Sequence, residues 1–219
     1  MPPRGRIHGG AGGVSSPQAW YQGLPPVTKG LLTSIMVVFG LYALGAITPY
    51  KLALLWQPMW KGFEIWRPFT SAIFLGGPSI KFLIQVMLMY QYSLRYEEEP
   101  FNTGGGGGSA DYACMLLFGI AVMDTLSLAF FSLPFLSSPL MYYIIYVWSR
   151  KSPDTPVSYW GVVVQAVYAP WVLLAFNVVT GDSVFAPLLG IGVGHLFYFL
   201  VDVLPDSHGV DKVSTPAYL

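Results

Sequence analysis

Long stretches with almost no charged residue recur from Gly30 to the region of Val203, and they constrain this chain more than any other feature. A bilayer core cannot solvate charge, so such runs are expected to cross a membrane as helices. Of 219 residues, 54% are hydrophobic and only 10% charged, whereas soluble domains carry roughly a quarter charged residues. The fold class that follows is an all-α polytopic membrane protein. Spans are expected at roughly 30–47, 79–95, 111–133, 135–148, 160–179 and 184–204. Residues 1–17, rich in Gly, Pro and Ser, are expected to be a disordered tail, 18–205 one membrane domain, and 206–219 a short second tail. No short apolar core precedes Pro26, so the first apolar helix is expected to direct insertion and stay.

The spans differ in length. The fourth, Phe135 to Trp148, covers roughly 21 Å at 1.5 Å per residue, against a hydrocarbon core of about 30 Å. A span that short must thin the bilayer locally or be shielded by neighbouring helices. The loop 48–78 carries Trp56, Trp60, Phe63 and Trp66 at helical spacing, a pattern suited to lying flat at the interface. Trp20 and Tyr21 are expected among the headgroups before the first span. Glu97 to Glu99 and Gly104 to Gly108 read as a flexible polar connection. Six spans place both termini on one side, which then holds Arg4, Arg6, Lys29, Arg95, Arg150, Lys151 and Lys212, against Lys51, Lys61, Arg67 and Lys81 opposite. That bias favours cytosolic termini.

Eleven basic and eleven acidic residues balance to zero, and the basic ones are scattered, so no nucleic-acid footprint is present. One cysteine, Cys114, permits neither an intrachain disulfide nor a cysteine metal site. No His, Asp and Glu set has metal spacing, and no cofactor is implied. Asp124 reads as lying midway through the third span, where a carboxylate costs about 2.5 to 3.5 kcal/mol, so it should face the bundle interior or water. Gln85, Gln165 and Asn177 are further intramembrane polar residues, suited to a polar groove or to bonds between helices. Gly190 and Gly194 share one helix face, the small-xxx-small pattern of close helix packing, and His195 follows directly. Ser137 and Ser138 near the start of span four invite a hydrolase reading with His195. Their depths oppose it: His195 falls roughly 16 Å into span six, leaving a vertical gap of about 10 Å where a nucleophile and base need roughly 3 Å.

Several runs together are similar to the Derlin family: Trp20-Tyr21 with Pro25-Pro26-Val27-Thr28, Trp66-Arg67-Pro68-Phe69-Thr70, and Ala110-Asp111-Tyr112 with Met115-Leu116-Leu117-Phe118-Gly119. Tyr146-Val147-Trp148-Ser149, Pro170-Trp171-Val172-Leu173, and Gly190 to Gly194 followed by His195-Leu196-Phe197-Tyr198-Phe199 continue the resemblance in order. It implies a rhomboid-like six-helix fold in the endoplasmic reticulum membrane without protease activity. The position of the catalytic His in active rhomboids, three residues before the first Gly of the pair, is Pro187 here, and no GxSG motif surrounds Ser137 and Ser138.

The resemblance further implies a role in moving misfolded proteins out of the endoplasmic reticulum for ubiquitination and proteasomal degradation. The implied partners are misfolded clients, a membrane ubiquitin ligase, membrane lipid, a homo- or hetero-oligomer, and a cytosolic AAA ATPase. The glycine-rich ATPase-binding box of many animal Derlins is not seen up to Leu219, so the ATPase is expected either through a longer tail or through a partner. Trp66, Arg67, Gly190 and Gly194 carry functional weight in the family, with Arg67 expected to stack on Trp66 as a cation-π pair. Asp124, Gln85, Gln165, Asn177 and His195 are the candidates for a polar groove in a locally thinned bilayer, where the cost of burying polar groups falls with the thickness crossed. The competing readings are a secondary transporter or channel, favoured by Asp124 and the intramembrane amides, and an active rhomboid protease.

Overall fold

The computed structural model describes residues 16–101, 107–159 and 161–204. In chain order the helices are α1 (Pro17–Gln22), α2 (Pro26–Ala43), α3 (Pro49–Leu52), α4 (Trp56–Gly62), α5 (Arg67–Ile73), α6 (Ile80–Glu98), α7 (Gly108–Leu126), α8 (Ser137–Lys151), α9 (Ala169–Val179) and α10 (Phe185–Tyr198). Strands β1 (Pro156–Tyr159) and β2 (Val162–Gln165) lie between α8 and α9. Turns of π-helix, Ser127–Phe131 and Phe199–Val203, prolong α7 and α10. The protein is an all-α polytopic membrane protein apart from this one small hairpin.

By length and composition α2, α7 with its π turn, and α10 with its π turn can each cross a membrane. The remaining three expected spans correspond to α6, α8 and α9. At 19 residues α6 covers about 28 Å. The short α8 is the middle of the bundle: every residue from Pro139 to Ser149 is buried. Neighbouring helices therefore shelter it, the second of the two outcomes expected for so short a span. The exposed short helix is α9, whose 11 residues and the leading 3-10 turn Ala166–Tyr168 together rise about 22 Å. Its outward residues include Trp171, Phe176, Val178 and Val179, so the mismatch argument moves from the fourth span to the fifth.

The fifth span also starts later than expected. Residues 156–165 form an antiparallel hairpin with register Pro156↔Gln165 through Tyr159↔Val162. Gly161 at φ +88° supplies the left-handed turn conformation. Three successive β-branched residues, Val162, Val163 and Val164, favour the strand. The hairpin is fastened to α6 by a buried hydroxyl pair between Tyr159 and Tyr92.

Glu97 corrects a second expectation, because it is not part of a flexible connection. It is buried in the last turn of α6, and its carboxylate accepts from the backbone N–H groups of Val27 at 2.9 Å and Thr28 at 2.6 Å. Pro25 and Pro26 give α2 no capping side chain of its own, so Glu97 satisfies donors that a helix start leaves open. Glu97→Ala is expected to lower stability by about 1.5 to 3 kcal/mol, the range for hydrogen bonds to a charged group, and Glu97→Gln by less. Thermal melting in detergent checks this, and an unchanged Glu97→Ala midpoint would refute the capping role. Residues 1–15 and most of the Gly104 to Gly108 run lie outside the described residues.

Between α2 and α6 the chain makes the interfacial loop anticipated from its tryptophans. Trp56, Trp60, Phe63, Ile65 and Trp66 are all exposed, and the Trp56 and Trp60 rings stack at 5.7 Å. Phe63 ends α4 at φ 52°, a left-handed conformation uncommon for a bulky residue. The loop docks on the start of α8 through Leu54 N–H to Pro134 O at 2.8 Å and Leu136 N–H to Ser71 O at 2.9 Å.

Candidate functional site

The Trp66-Arg67 pair is divided by the fold. Trp66 precedes α5 and stays about half exposed, whereas Arg67 opens the helix and is 1% exposed. The guanidinium donates to the carbonyls of Tyr50 at 2.7 Å and Ala53 at 2.6 Å, and it pairs with the Glu64 carboxylate. Its ring contact is with Tyr50, 5.6 Å from the centroid, and this replaces the expected stack on Trp66. Adjacent residues at a helix start point in different directions, so one reaches inward while the other faces outward. Arg67 thus ties the interfacial loop to the bundle.

Gly190 and Gly194 both face α8, but they meet different things. A Cβ on Gly190 would stand 2.8 Å from the carbonyl carbon of Pro139, with the oxygen nearer still. A Cβ on Gly194 would stand 2.9 Å from Cδ1 of the Tyr146 ring. The first neighbour is backbone and the second a side chain. Gly119 on α7 plays a similar part, where a Cβ would come within 2.7 Å of Tyr143 Cζ. That lone glycine carried no spacing signal. His195 is exposed and its Nδ1 lies 2.8 Å from the Tyr146 hydroxyl, which also accepts from Arg150 Nε at 3.0 Å. Tyr146 lies eight residues beyond Ser138, about 12 Å along α8, so His195 is held far from that serine.

Gln85 and Asn177 do come together. They line a cavity of about 250 Å³ between α6, α8 and α9, with Leu88, Ser138, Tyr142 and Leu173 also in its wall. The other groove candidates do not join them. Gln165 is exposed on β2, outside any span. His195 is engaged with Tyr146. Asp124 sits 16 residues into the 24-residue span formed by α7 and its π turn, beyond the middle, with its buried Oδ1 lacking a hydrogen-bond partner among the described residues. It does not line this cavity.

Sequence reading missed the cavity's rim. Lys81 Nζ on the first turn of α6 contacts Asp182 Oδ1 after α9 at 2.8 Å, and Thr180 Oγ1 lies 3.3 Å from Asp182 Oδ2. The signal available was topological, since both charges border spans that end on the same membrane side. The Lys81 hydrogen bond holds the Asp182 carboxyl below its ordinary value. A lowered carboxylate pKa contributes stability above the ordinary carboxylate range and loses it as pH falls through the lowered value. The pair is well exposed, 56% and 37%, so its contribution is at most about 1 kcal/mol. It is an edge that opens at little cost.

The family profile described as Der1-like matches residues 24–217. Derlin-1 of Arabidopsis thaliana is 36% identical over 208 residues, covering 94% of this chain and 77% of that relative. Derlin-1 of Oryza sativa subsp. japonica is 35% identical over 208 residues, covering 94% of this chain and 84% of the relative. Derlin-2.1 of Zea mays is 33% identical over 213 residues, covering 92% and 84%.

Proposed function

This chain belongs to the Der1-like family, and from that premise we propose that it is a non-catalytic component of endoplasmic-reticulum-associated degradation. In this reading it sits in the endoplasmic reticulum membrane with both termini in the cytosol, where a membrane ubiquitin ligase and a cytosolic AAA ATPase draw misfolded clients onward. The observation that carries it is the cavity between α6, α8 and α9, a largely apolar recess lined also by the amides of Gln85 and Asn177, beside an exposed span shorter than a hydrocarbon core. A hydrophilic segment leaving the lumen would find the amides of Gln85 and Asn177 there. The hydrocarbon to be crossed would be thinned against α9, which with its leading 3-10 turn Ala166–Tyr168 rises about 22 Å against a core of about 30 Å. The Lys81–Asp182 contact bridges the mouth and contributes little, so separating α6 from α9 is inexpensive.

Peptide hydrolysis has no supporting arrangement in this reading. Pro187 stands three residues before Gly190 and is buried, and His195 is bonded to Tyr146 about two helical turns from Ser138. The experiment is a chase of a misfolded lumenal reporter in cells lacking this protein. Wild type and Ser138→Ala should restore turnover equally, while Gln85→Leu with Asn177→Leu should restore it poorly despite normal melting. Full activity of the double variant would overturn the groove. Loss of turnover with Ser138→Ala, together with labelling of the wild type but not of Ser138→Ala by a serine-reactive fluorophosphonate, would revive catalysis.

A further inference from the structure

On its other side α6 borders a larger trough. It measures about 720 Å³, runs between α2 and α6, and is closed at one end by α1. Its walls include Met36 and Val37 from α2 and Leu83 and Met87 from α6, which are 51, 53, 65 and 63% exposed. That size lies within the roughly 300 to 1,000 Å³ of small-molecule sites. Every polar side chain lining it stands at the closed end. There Trp20 Nε1 donates to the Tyr90 hydroxyl at 3.1 Å with the rings edge-on, and the Tyr21 and Thr33 hydroxyls lie 2.6 Å apart.

Past Tyr21 and Thr33 the surface continues into a second hollow containing Lys29 and Ser34. Lys29 Nζ donates to the Gln22 carbonyl at 3.2 Å and lies 5.3 Å from the Tyr21 ring centre. Among the described residues the ion pairs are Arg67–Glu64 and Lys81–Asp182, and Lys29 belongs to neither. Glu97 takes the first amides of α2 from the buried side. Lys29, rather than the helix end, therefore supplies the positive charge outside.

We propose that α1, α2 and α6 form a binding site for one anionic glycerophospholipid, with its phosphate at Lys29 and an acyl chain lying between Met36 and Met87. The dimensions agree: from Lys29 to Val37 the helix rises about 12 Å, most of the roughly 15 Å that one leaflet of a 30 Å core provides. Chemistry selects the occupant. Below Thr33 the described residues of the walls offer no hydrogen-bonding side chain, so an extended peptide lying there would leave its amides unsatisfied, whereas an alkyl chain needs no partner. Trp20, Tyr21 and Tyr90 stand at the level where aromatic side chains meet headgroups.

The test is photolabelling of the purified full chain in phosphatidylcholine micelles with a phosphatidylserine carrying a diazirine near the end of one acyl chain. Labels are expected on residues 32–37 and 83–87, with unlabelled phosphatidylserine competing roughly fivefold better than phosphatidylcholine, the effect of one basic residue near an anionic headgroup. Lys29→Gln should abolish that difference at an unchanged melting temperature, and Lys29→Arg should retain it. Met87→Trp should fill the trough and remove these labels while labelling of α10 persists. Labels spread evenly over the outer faces of α7 and α10, equal competition by the two lipids, or crosslinks at these residues to a second copy of the chain would each overturn the site.

Discussion

Arg67→Ala is expected to destabilise the protein by about 3 to 5 kcal/mol, the range for removing one member of a buried ionic network. The guanidinium is 1% exposed and holds the carbonyls of Tyr50 and Ala53 together with the Glu64 carboxylate. Its loss leaves those groups unsatisfied at the point where the interfacial loop meets the bundle. Arg67→Lys should fall between wild type and Ala, since a compact ammonium cannot reproduce the planar fork. Trp66→Ala removes a half-exposed ring and should change melting by no more than about 0.5 kcal/mol. Thermal melting in detergent and limited proteolysis of residues 48–66 separate the two positions. Equal losses at Trp66 and Arg67 would contradict the division of the pair between surface and core.

Gly190→Ala should be as damaging as Gly194→Leu. A single Cβ at Gly190 runs into the backbone carbonyl of Pro139, which cannot rotate away, so α10 must separate from the buried helix α8. Overpacking of this kind costs about 1 to 3 kcal/mol, and Gly190→Ala belongs at the upper end. At Gly194 the obstruction is the Tyr146 ring. Gly194→Ala asks that ring to shift and should disturb its hydroxyl contact with His195, a milder change than Gly194→Leu. Melting midpoint and turnover of a misfolded reporter should fall together in the order wild type, Gly194→Ala, then Gly194→Leu with Gly190→Ala. Wild-type stability of Gly190→Ala would mean that the two helices do not touch there.

The six long helices were legible because charge-free runs have few alternatives in a bilayer. Which of the short ones faces lipid was not, since α8 and α9 are both apolar and composition does not distinguish protein neighbours from acyl chains. The hairpin at 156–165 was hidden inside an apolar run, because Val162, Val163 and Val164 satisfy a hydropathy pattern as readily as a strand. Gln165 was misplaced with it. Glu97 looked like one of three similar acidic residues, and its role depends on a contact with residues 69 and 70 positions away. The glycine pair was readable from spacing, while the difference between its members was not, because that rests on whether backbone or side chain lies opposite. Gln85 and Asn177 lie on α6 and α9, but only the packing of α6, α8 and α9 joins them and adds Lys81 and Asp182.

The most direct test of the proposed passage along α6 and α9 is site-specific photocrosslinking in native membranes. A photoreactive residue placed at Ile84 or Phe176, both in the cavity wall, should capture a misfolded lumenal reporter, and the adduct should accumulate when the cytosolic ATPase is inhibited. The same probe at Leu117, an exposed position on α7, should capture none. Adducts of equal strength from Leu117, or none from Ile84 and Phe176 while the reporter is still degraded, would contradict the account.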